Sequence, residues 1–109
     1  MAEYMQVVTT TDSKEAALAL AREVVHARLG AAGQIYPIRS VYWWESAVQD
    51  EEEWQVVFKT TGQSMADLIE HVRKHHTYIV PEIIATTIDS GHDPYLSWID
   101  EETRGSRLS

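Results

Sequence analysis

The segment at residues 41–44 has an unusual hydrophobic pattern, because both faces of the strand that it predicts are apolar. Neighbouring side chains of an extended chain point to opposite faces, and alternate side chains share a face. Tyr42 and Trp44 therefore lie on one face, and Val41 and Trp43 lie on the other. A strand of a small soluble domain usually has one buried and one solvated face. We therefore predict that another subunit covers part of this strand.

The pattern along the rest of the chain predicts four strands and three helices. β-branched runs and period-two alternation mark the strands, and apolar residues at helical spacing mark the helices. Their order is strand, helix, strand, strand, helix, strand, helix. The predicted bounds are residues 5–11, 13–29, 33–47, 54–61, 64–75, 82–88 and a short last helix from residue 93.

Particular residue types set the predicted boundaries of these elements. Asp12 is the expected N-cap of the first helix, and Gly30 is expected to end that helix. Pro37 interrupts the second strand, because proline cannot donate a hydrogen bond to a neighbouring strand. The acidic residues 49–53 are expected to form the turn between the second and third strands.

The element order is typical of an α+β, ferredoxin-like βαββαβ sandwich with a C-terminal helix, in which four antiparallel strands carry both main helices on one face. Residues 1–103 are predicted to form this single domain, and residues 104–109 a disordered tail. Residues 34–45 span ~40 Å when extended, whereas a globule of this length has a radius of gyration of ~13 Å. The long hairpin of the second and third strands should therefore extend beyond its domain and be buried in a closed symmetric oligomer.

Composition narrows the possible functions. The 109 residues include 17 acidic and nine basic side chains, a formal charge of −8, which argues against nucleic acid as the main partner. The absence of cysteine excludes a disulfide and a thiolate metal site. The N-terminal residues do not resemble a signal peptide, and no apolar run approaches the ~20 residues of a membrane span. We expect a cytoplasmic protein without a membrane partner.

Three segments of the chain resemble one known family, the CutA divalent-cation tolerance proteins. They are Ser-Val-Tyr-Trp-Trp-Glu at residues 40–45, His-Thr-Tyr-Ile-Val-Pro-Glu-Ile-Ile at residues 76–84, and Tyr-Leu-Ser-Trp-Ile at residues 95–99. The resemblance runs in register from about Val7 to Glu101. It implies a homotrimer of ferredoxin-like subunits, related in shape to the PII signalling proteins, with a cytoplasmic location and an association with copper and other divalent ions.

The resemblance also implies metal ligands, which this sequence matches in part. Copper ligands of the family lie on a cysteine and on a His-His pair before a Pro-Tyr step. The pair is present as His75 and His76, whereas Thr9 stands at the cysteine position and Thr77 replaces the proline. Imidazoles suit Cu(II), Zn(II) and Ni(II). We therefore take His75 and His76 as the candidate metal ligands.

Helix geometry leaves alternatives open for these histidines. Adjacent helical residues point about 100° apart, so His75 and His76 cannot easily bind one ion by themselves. His71 and His75 are four residues apart, share a helix face and form the better local pair. Histidines near a helix C-terminus can also interact with its free carbonyl groups and dipole without binding any metal.

Five residues are candidates for a ligand cleft or an intersubunit contact: Tyr42, Trp44, Lys59, Glu82 and Trp98. Aromatic side chains can stack on a small molecule in a cleft, and the alternative role of these aromatics is to form the core of the trimer. Glu82 could act as a ligand carboxylate, an ion-pair partner or a hydrogen-bond acceptor. Lys59 could contact an anion, pair with a glutamate or remain solvated.

These observations predict a non-enzymatic, cytoplasmic homotrimer that binds divalent metal, copper(II) or another cation, and that acts in tolerance by buffering or signalling. Catalysis has no support, since the chain has no HExxH motif, no glycine-rich phosphate loop and no Ser-His-Asp spacing. One alternative is a PII-like trimer that binds an organic effector through Tyr42, Trp44, Lys59 and Glu82. Another is a scaffold that docks an unidentified protein partner.

Overall fold

The computed structural model describes the backbone of residues 3–108 and the side chains of residues 3–105. The predicted order of elements is confirmed: β1 (Tyr4–Thr11), α1 (Lys14–His26), β2 (Ala32–Trp44), β3 (Ala47–Thr61), α2 (Gly62–His75), β4 (Ile83–Thr87) and α3 (Asp93–Leu108). The strands pair antiparallel in one sheet, in the order β2-β3-β1-β4. This arrangement confirms the α+β, ferredoxin-like fold.

The core lies between one face of the central strands and the two main helices. Alternation on β1 and β3 turns Val7, Val56 and Phe58 toward the helices, and all three are fully buried. The helices contribute their apolar stripes to the same cluster, with Ala17, Leu20, Ala21 and Val24 from α1, and Leu68 and Val72 from α2. Both helices therefore pack on the same face of the sheet.

The ends of α1 differ from the predicted boundaries. Ser13, not Asp12, is the N-cap, because the extended backbone of Ser13 lets its hydroxyl accept a hydrogen bond from the N–H of Ala16 at 3.1 Å. The helix ends at His26, and Arg28 takes the left-handed conformation with φ 61°. Gly30 has a different role, since a Cβ there would lie 3.1 Å from a side-chain carbon of Val24.

The β2–β3 hairpin also differs from the predicted segments. Pro37 does not interrupt β2, because β2 is an edge strand of the sheet and an edge strand tolerates a missing N–H. The acidic residues 49–53 lie inside β3 and are not a turn. The turn consists of Glu45 and Ser46, whose φ values of 49° and 65° match a two-residue type I′ hairpin.

Among residues 3–108, no third strand lies beside the outer part of this hairpin. Pairing of β1 with β3 stops at Trp54, whereas β2 and β3 stay paired as far as Trp44 and Ala47. We call residues 38–53 the distal hairpin and the rest of the sheet with α1 and α2 the body. In the distal hairpin, Val41 is 64% exposed and Trp43 is 74% exposed. Tyr42 and Trp44 are also exposed, on the opposite face.

Helix α3 is longer than the short helix that the sequence predicted. Ile99 and Thr103 are fully buried, and Arg104 donates a hydrogen bond to Asp100 one turn earlier, at 2.9 Å. Residues 104–109 were predicted to be a disordered tail, whereas residues 104–108 continue α3. Ser109 lies outside the described residues. Within residues 3–108, every helix is too short or too polar to cross a membrane.

Candidate functional site

The candidate metal ligands lie at the C-terminal end of α2. The helix begins after Thr61, whose hydroxyl accepts a hydrogen bond from the N–H of Ser64 at 3.3 Å. Leu68 and Val72 are fully buried on its inner side. His75 occupies the last helical position and is exposed. The core packing of α2 therefore holds the backbone of this segment in place and leaves the His75 ring in solvent.

His76 has hydrogen-bond partners at both ring nitrogens. Its Nε2 lies 2.6 Å from the carbonyl oxygen of Thr10, and its Nδ1 lies 3.0 Å from the backbone N–H of Tyr78. A carbonyl accepts and an N–H donates, so Nε2 carries the proton and Nδ1 holds the lone pair. His76 thus connects the end of α2 to β1 in one tautomer, and neither nitrogen is free to bind an ion.

His75 faces His71, as the four-residue spacing predicts. The two rings stack with their centroids 4.2 Å apart and their planes at 26°. The Nδ1 of His75 lies 2.8 Å from the carbonyl oxygen of His71 and donates to it. The structure therefore gives His75 and His76 different partners, and it brings together His71 and His75 instead.

Glu23 of α1 is a functional candidate that the sequence analysis did not name. One of its carboxylate oxygens lies 3.3 Å from the Nε2 of His71. Glu23, His71 and His75 each offer a ligand atom, and these atoms all lie within 4.8 Å of one another. Glu23 is 48 residues from His71 along the chain, so no local spacing could have identified it. Its position off the apolar stripe of α1 was the available signal.

Three of the five cleft candidates line one open cavity of about 720 Å³: Tyr42, Trp44 and Glu82. The cavity lies between the distal hairpin and residues 77–82, the segment that joins α2 to β4. Arg39 also lines it and donates a hydrogen bond to Asp50 at 2.7 Å. The aromatic and charged groups that the sequence predicted for a cleft are thus partly assembled within a single subunit.

Two tyrosines donate hydrogen bonds to carboxylates at this cavity. The Tyr78 hydroxyl donates to Glu53 at 2.7 Å, and Glu53 is only 6% exposed. Burial, and then the bond to Glu53, raises the pKa of Tyr78 above its ordinary value. The bond from the Tyr42 hydroxyl to Glu51 raises the pKa of Tyr42 to about 12. Both phenols therefore remain protonated donors at neutral pH.

Lys59 and Trp98 lie outside this cavity. The Lys59 ammonium donates to the side-chain oxygens of Gln6 at 2.7 Å and of Gln34 at 2.9 Å, and burial lowers its pKa. Trp98 packs against Tyr95, with ring centroids 5.5 Å apart, and lines a separate, smaller pocket of about 270 Å³. Within one subunit, neither residue joins Tyr42, Trp44 and Glu82.

Comparison with known proteins identifies the family. The family model described as CutA1 divalent ion tolerance protein matches residues 5–102. The chloroplastic protein CutA 1 of Oryza sativa is 42% identical over 101 residues, which cover 92% of this chain and 57% of that protein. The chain therefore spans little more than half the length of that relative.

Bacterial sequences and solved structures agree with this match. The divalent-cation tolerance protein CutA of Thermotoga maritima is 34% identical, over 87% of this chain and 94% of that protein. The crystal structure of CutA1 from Oryza sativa superposes with a TM-score of 0.90 at 40% identity and covers 94% of each chain. This chain belongs to the CutA1 divalent ion tolerance family.

Proposed function

We propose that this chain works as a homotrimer that binds divalent cations, copper(II) among them, and that it contributes to tolerance of these ions without being an enzyme. The observation that carries the proposal is the pair of imidazoles, His71 and His75, at the end of α2 in a member of a family named for divalent ion tolerance. The formal charge of −8 also favours the approach of cations.

His75 is the proposed ligand of the His75–His76 pair. Its Nδ1–H donates to the His71 carbonyl, which leaves the lone pair on the exposed Nε2. His76 would have to release Thr10 or Tyr78 before it could bind an ion. We therefore assign His76 the role of holding the end of α2 against β1. With imidazoles and carboxylates as donors and no cysteine, the chain suits Cu(II) or Zn(II) better than Cu(I).

The exposed surface of the distal hairpin is evidence in favour of the proposed trimer. Apolar side chains are exposed on both of its faces. Of the four strands that the structure describes, β2 and β4 are at the edges and each pairs with a strand on one side only. An exposed apolar ribbon and open sheet edges favour association between subunits. A closed ring of subunits buries these surfaces without leading to open-ended aggregation. Tolerance through a soluble trimer would act by buffering or signalling. The cytoplasmic location stays a prediction, since the names of relatives include a chloroplastic and a periplasmic protein.

Calorimetric titration with Cu(II) tests the metal-binding proposal. We compare the wild type with the double variant His75→Ala/His76→Ala and with the control His92→Ala, which removes an exposed histidine of the loop before α3. The double variant should lose stoichiometric copper binding, and the control should retain it. An unchanged copper affinity in the double variant would remove this segment from the metal site.

A second candidate function is the binding of a small organic molecule, which the cavity at the distal hairpin favours. Tyr42 and Trp44 provide aromatic surfaces there, and Glu82 and the nearly buried Glu53 provide negative charge. Native mass spectrometry of the purified trimer tests this function directly. A retained organic mass that disappears in Tyr42→Ala would support it, and a trimer without any adduct would argue for the metal-binding role alone.

A further inference from the structure

We propose that Glu23, His71 and His75 form a three-ligand site for a divalent transition metal that bridges α1 and α2 within one subunit. The inference deepens the proposed function and rests on it for the class of ligand, a divalent cation. It adds a carboxylate from a second helix, and it replaces the adjacent pair of histidines by a pair one helical turn apart.

The distances between the three side chains are close to those that a bound ion needs. Two ligand atoms on one tetrahedral ion, each about 2.05 Å from it, lie about 3.3 Å apart. The distance between the His71 Nε2 and the Glu23 carboxylate is already 3.3 Å. A ligand atom of His75 lies within 4.8 Å of both. The Glu23 and His75 side chains are exposed and can adjust around an ion.

The hydrogen bonds of the histidines prepare them for coordination. A metal-binding histidine usually donates its other N–H to a carboxylate or a backbone carbonyl, which fixes the tautomer and the ring orientation. The Nδ1–H of His75 makes such a bond to the His71 carbonyl, so Nε2 is the ligand atom. The Nε2 of His71 already points to the Glu23 carboxylate. An ion bound here would lie between these two groups.

The backbone under the site is rigid, because each helix is anchored in the core next to a proposed ligand. Val24 follows Glu23 on α1, Val72 follows His71 on α2, and both valines are fully buried in the same cluster. His71 itself has only 21% of its side chain exposed. The His71 side chain is thus positioned by packing, which lowers the conformational cost of binding an ion.

The donor set selects the class of metal. Two imidazoles and one carboxylate suit Zn(II), Cu(II) and Ni(II), whereas Ca(II) and Mg(II) prefer six or more oxygen ligands. Three protein ligands leave a position for water. An ion at this site would tie α1 to α2 in each subunit, so metal binding should also stabilise the fold.

The test is calorimetric titration of the 109-residue chain with ZnCl2. We expect one Zn(II) per subunit in the wild type, and an affinity at least about tenfold lower in Glu23→Gln, His71→Ala and His75→Ala, since even groups that only orient a ligand contribute that much. The matched controls are Glu15→Gln, an exposed glutamate two turns earlier on α1, and His92→Ala. Both controls should stay within about twofold of the wild type.

A thermal unfolding series gives a second readout. Zn(II) should raise the unfolding temperature of the wild type and of the controls, and it should not raise that of the three ligand variants. If His71→Ala does not fold by circular dichroism, His71→Gln replaces it. Unchanged zinc affinity in Glu23→Gln and His71→Ala, with weaker binding in His75→Ala, would overturn this inference and leave the proposed function standing. A wild type that binds neither Zn(II) nor Cu(II) would overturn both.

Discussion

The body and the distal hairpin contain the same kinds of apolar residues, but these residues are buried in the body and exposed in the distal hairpin. In the body, β3 has β1 on one side, β2 on the other and two helices above it, and Val56 and Phe58 are fully buried. In the distal hairpin, β2 and β3 pair with each other and with no other strand of the described residues, and Trp43 remains largely exposed although it is larger than either of those residues.

The difference teaches that burial in this protein depends on the number of neighbouring elements and not on hydrophobicity alone. Alternation turns every second residue of a strand toward one face in both regions. In the body that face meets α1 and α2, whereas Glu53, which accepts a hydrogen bond from Tyr78, is the one buried residue of the distal hairpin. A surface of this kind on a small protein marks an interaction site.

The largest expected effect is a change of assembly from one substitution in the distal hairpin. Trp44→Asp places a charge where we propose that another subunit packs, and burying an unpaired charge is strongly unfavourable. The variant should leave monomers or insoluble chain. Multi-angle light scattering should report the mass of a single 12.4 kDa chain, and Trp44→Phe serves as the control. An intact trimer of Trp44→Asp would contradict the proposed role of the hairpin.

In the body, removal of a core side chain should lower stability without changing the assembly at high concentration. Phe58→Ala creates a cavity among fully buried residues and should reduce the free energy of unfolding by about 3–5 kcal/mol. Phe58→Leu keeps most of the apolar volume and should cost much less. Urea denaturation followed by circular dichroism measures both. A loss in Phe58→Ala no larger than in Phe58→Leu would be inconsistent with the described core.

At the junction of the two regions, Tyr78 should contribute a smaller, pH-dependent stabilisation. Tyr78→Phe removes the donor to the nearly buried Glu53 and should cost about 1–3 kcal/mol at neutral pH. The folded-state pKa of Tyr78 is raised, so its contribution is fully present below the unfolded pKa of about 10 and is lost as the pH rises toward the folded value.

Urea denaturation of the wild type and of Tyr78→Phe, from neutral pH to a pH of about 11, tests whether the stabilisation by Tyr78 decreases as the pH rises. The stability difference between the two proteins should shrink above the ordinary tyrosine pKa, because the unfolded wild type then loses a proton that the folded protein keeps. A difference that stays constant or grows across this range would show that Tyr78 does not titrate as its surroundings indicate.

The smallest expected effect concerns the ion pair on the surface of the distal hairpin. Arg39 and Asp50 are 2.7 Å apart, yet more than half of each side chain is exposed. Water screens such pairs, and ordering two long side chains opposes them. Arg39→Ala should therefore leave the urea midpoint unchanged within error. A clear loss of stability would show that another subunit buries this pair and would sharpen the boundary of the trimer interface.

Sequence patterns were sufficient for most of the fold because they report local preferences. Periodicity identified all seven elements. The predicted boundaries were wrong where local sequence preferences were compatible with more than one end of a helix or strand. The helix that Gly30 was expected to end stops earlier, before Arg28, which adopts the left-handed conformation. The acidic residues 49–53 continue β3 because pairing with β2 outweighs their weak strand preference.

The candidate site was predictable only in part, for the same reason. The spacing of His71 and His75 is a helical property, and the sequence already contained it. The hydrogen bonds that occupy both nitrogens of His76 come from β1 and from the segment after α2, so only the folded chain could reveal them. The separation of Lys59 and Trp98 from the cavity of Tyr42, Trp44 and Glu82 likewise depends on the assembled sheet and helices.

The sequence by itself determined the order of the elements, the two apolar faces of the distal hairpin and the pair of histidines one turn apart on α2. Each of these follows from the period of a helix or a strand. Tertiary structure alone decided that Glu23 lies beside His71, that Tyr78 donates to Glu53 and that Trp43 remains 74% exposed. These contacts join residues far apart in the chain, and their distances are set by how α1, α2 and the sheet pack, which no local period encodes.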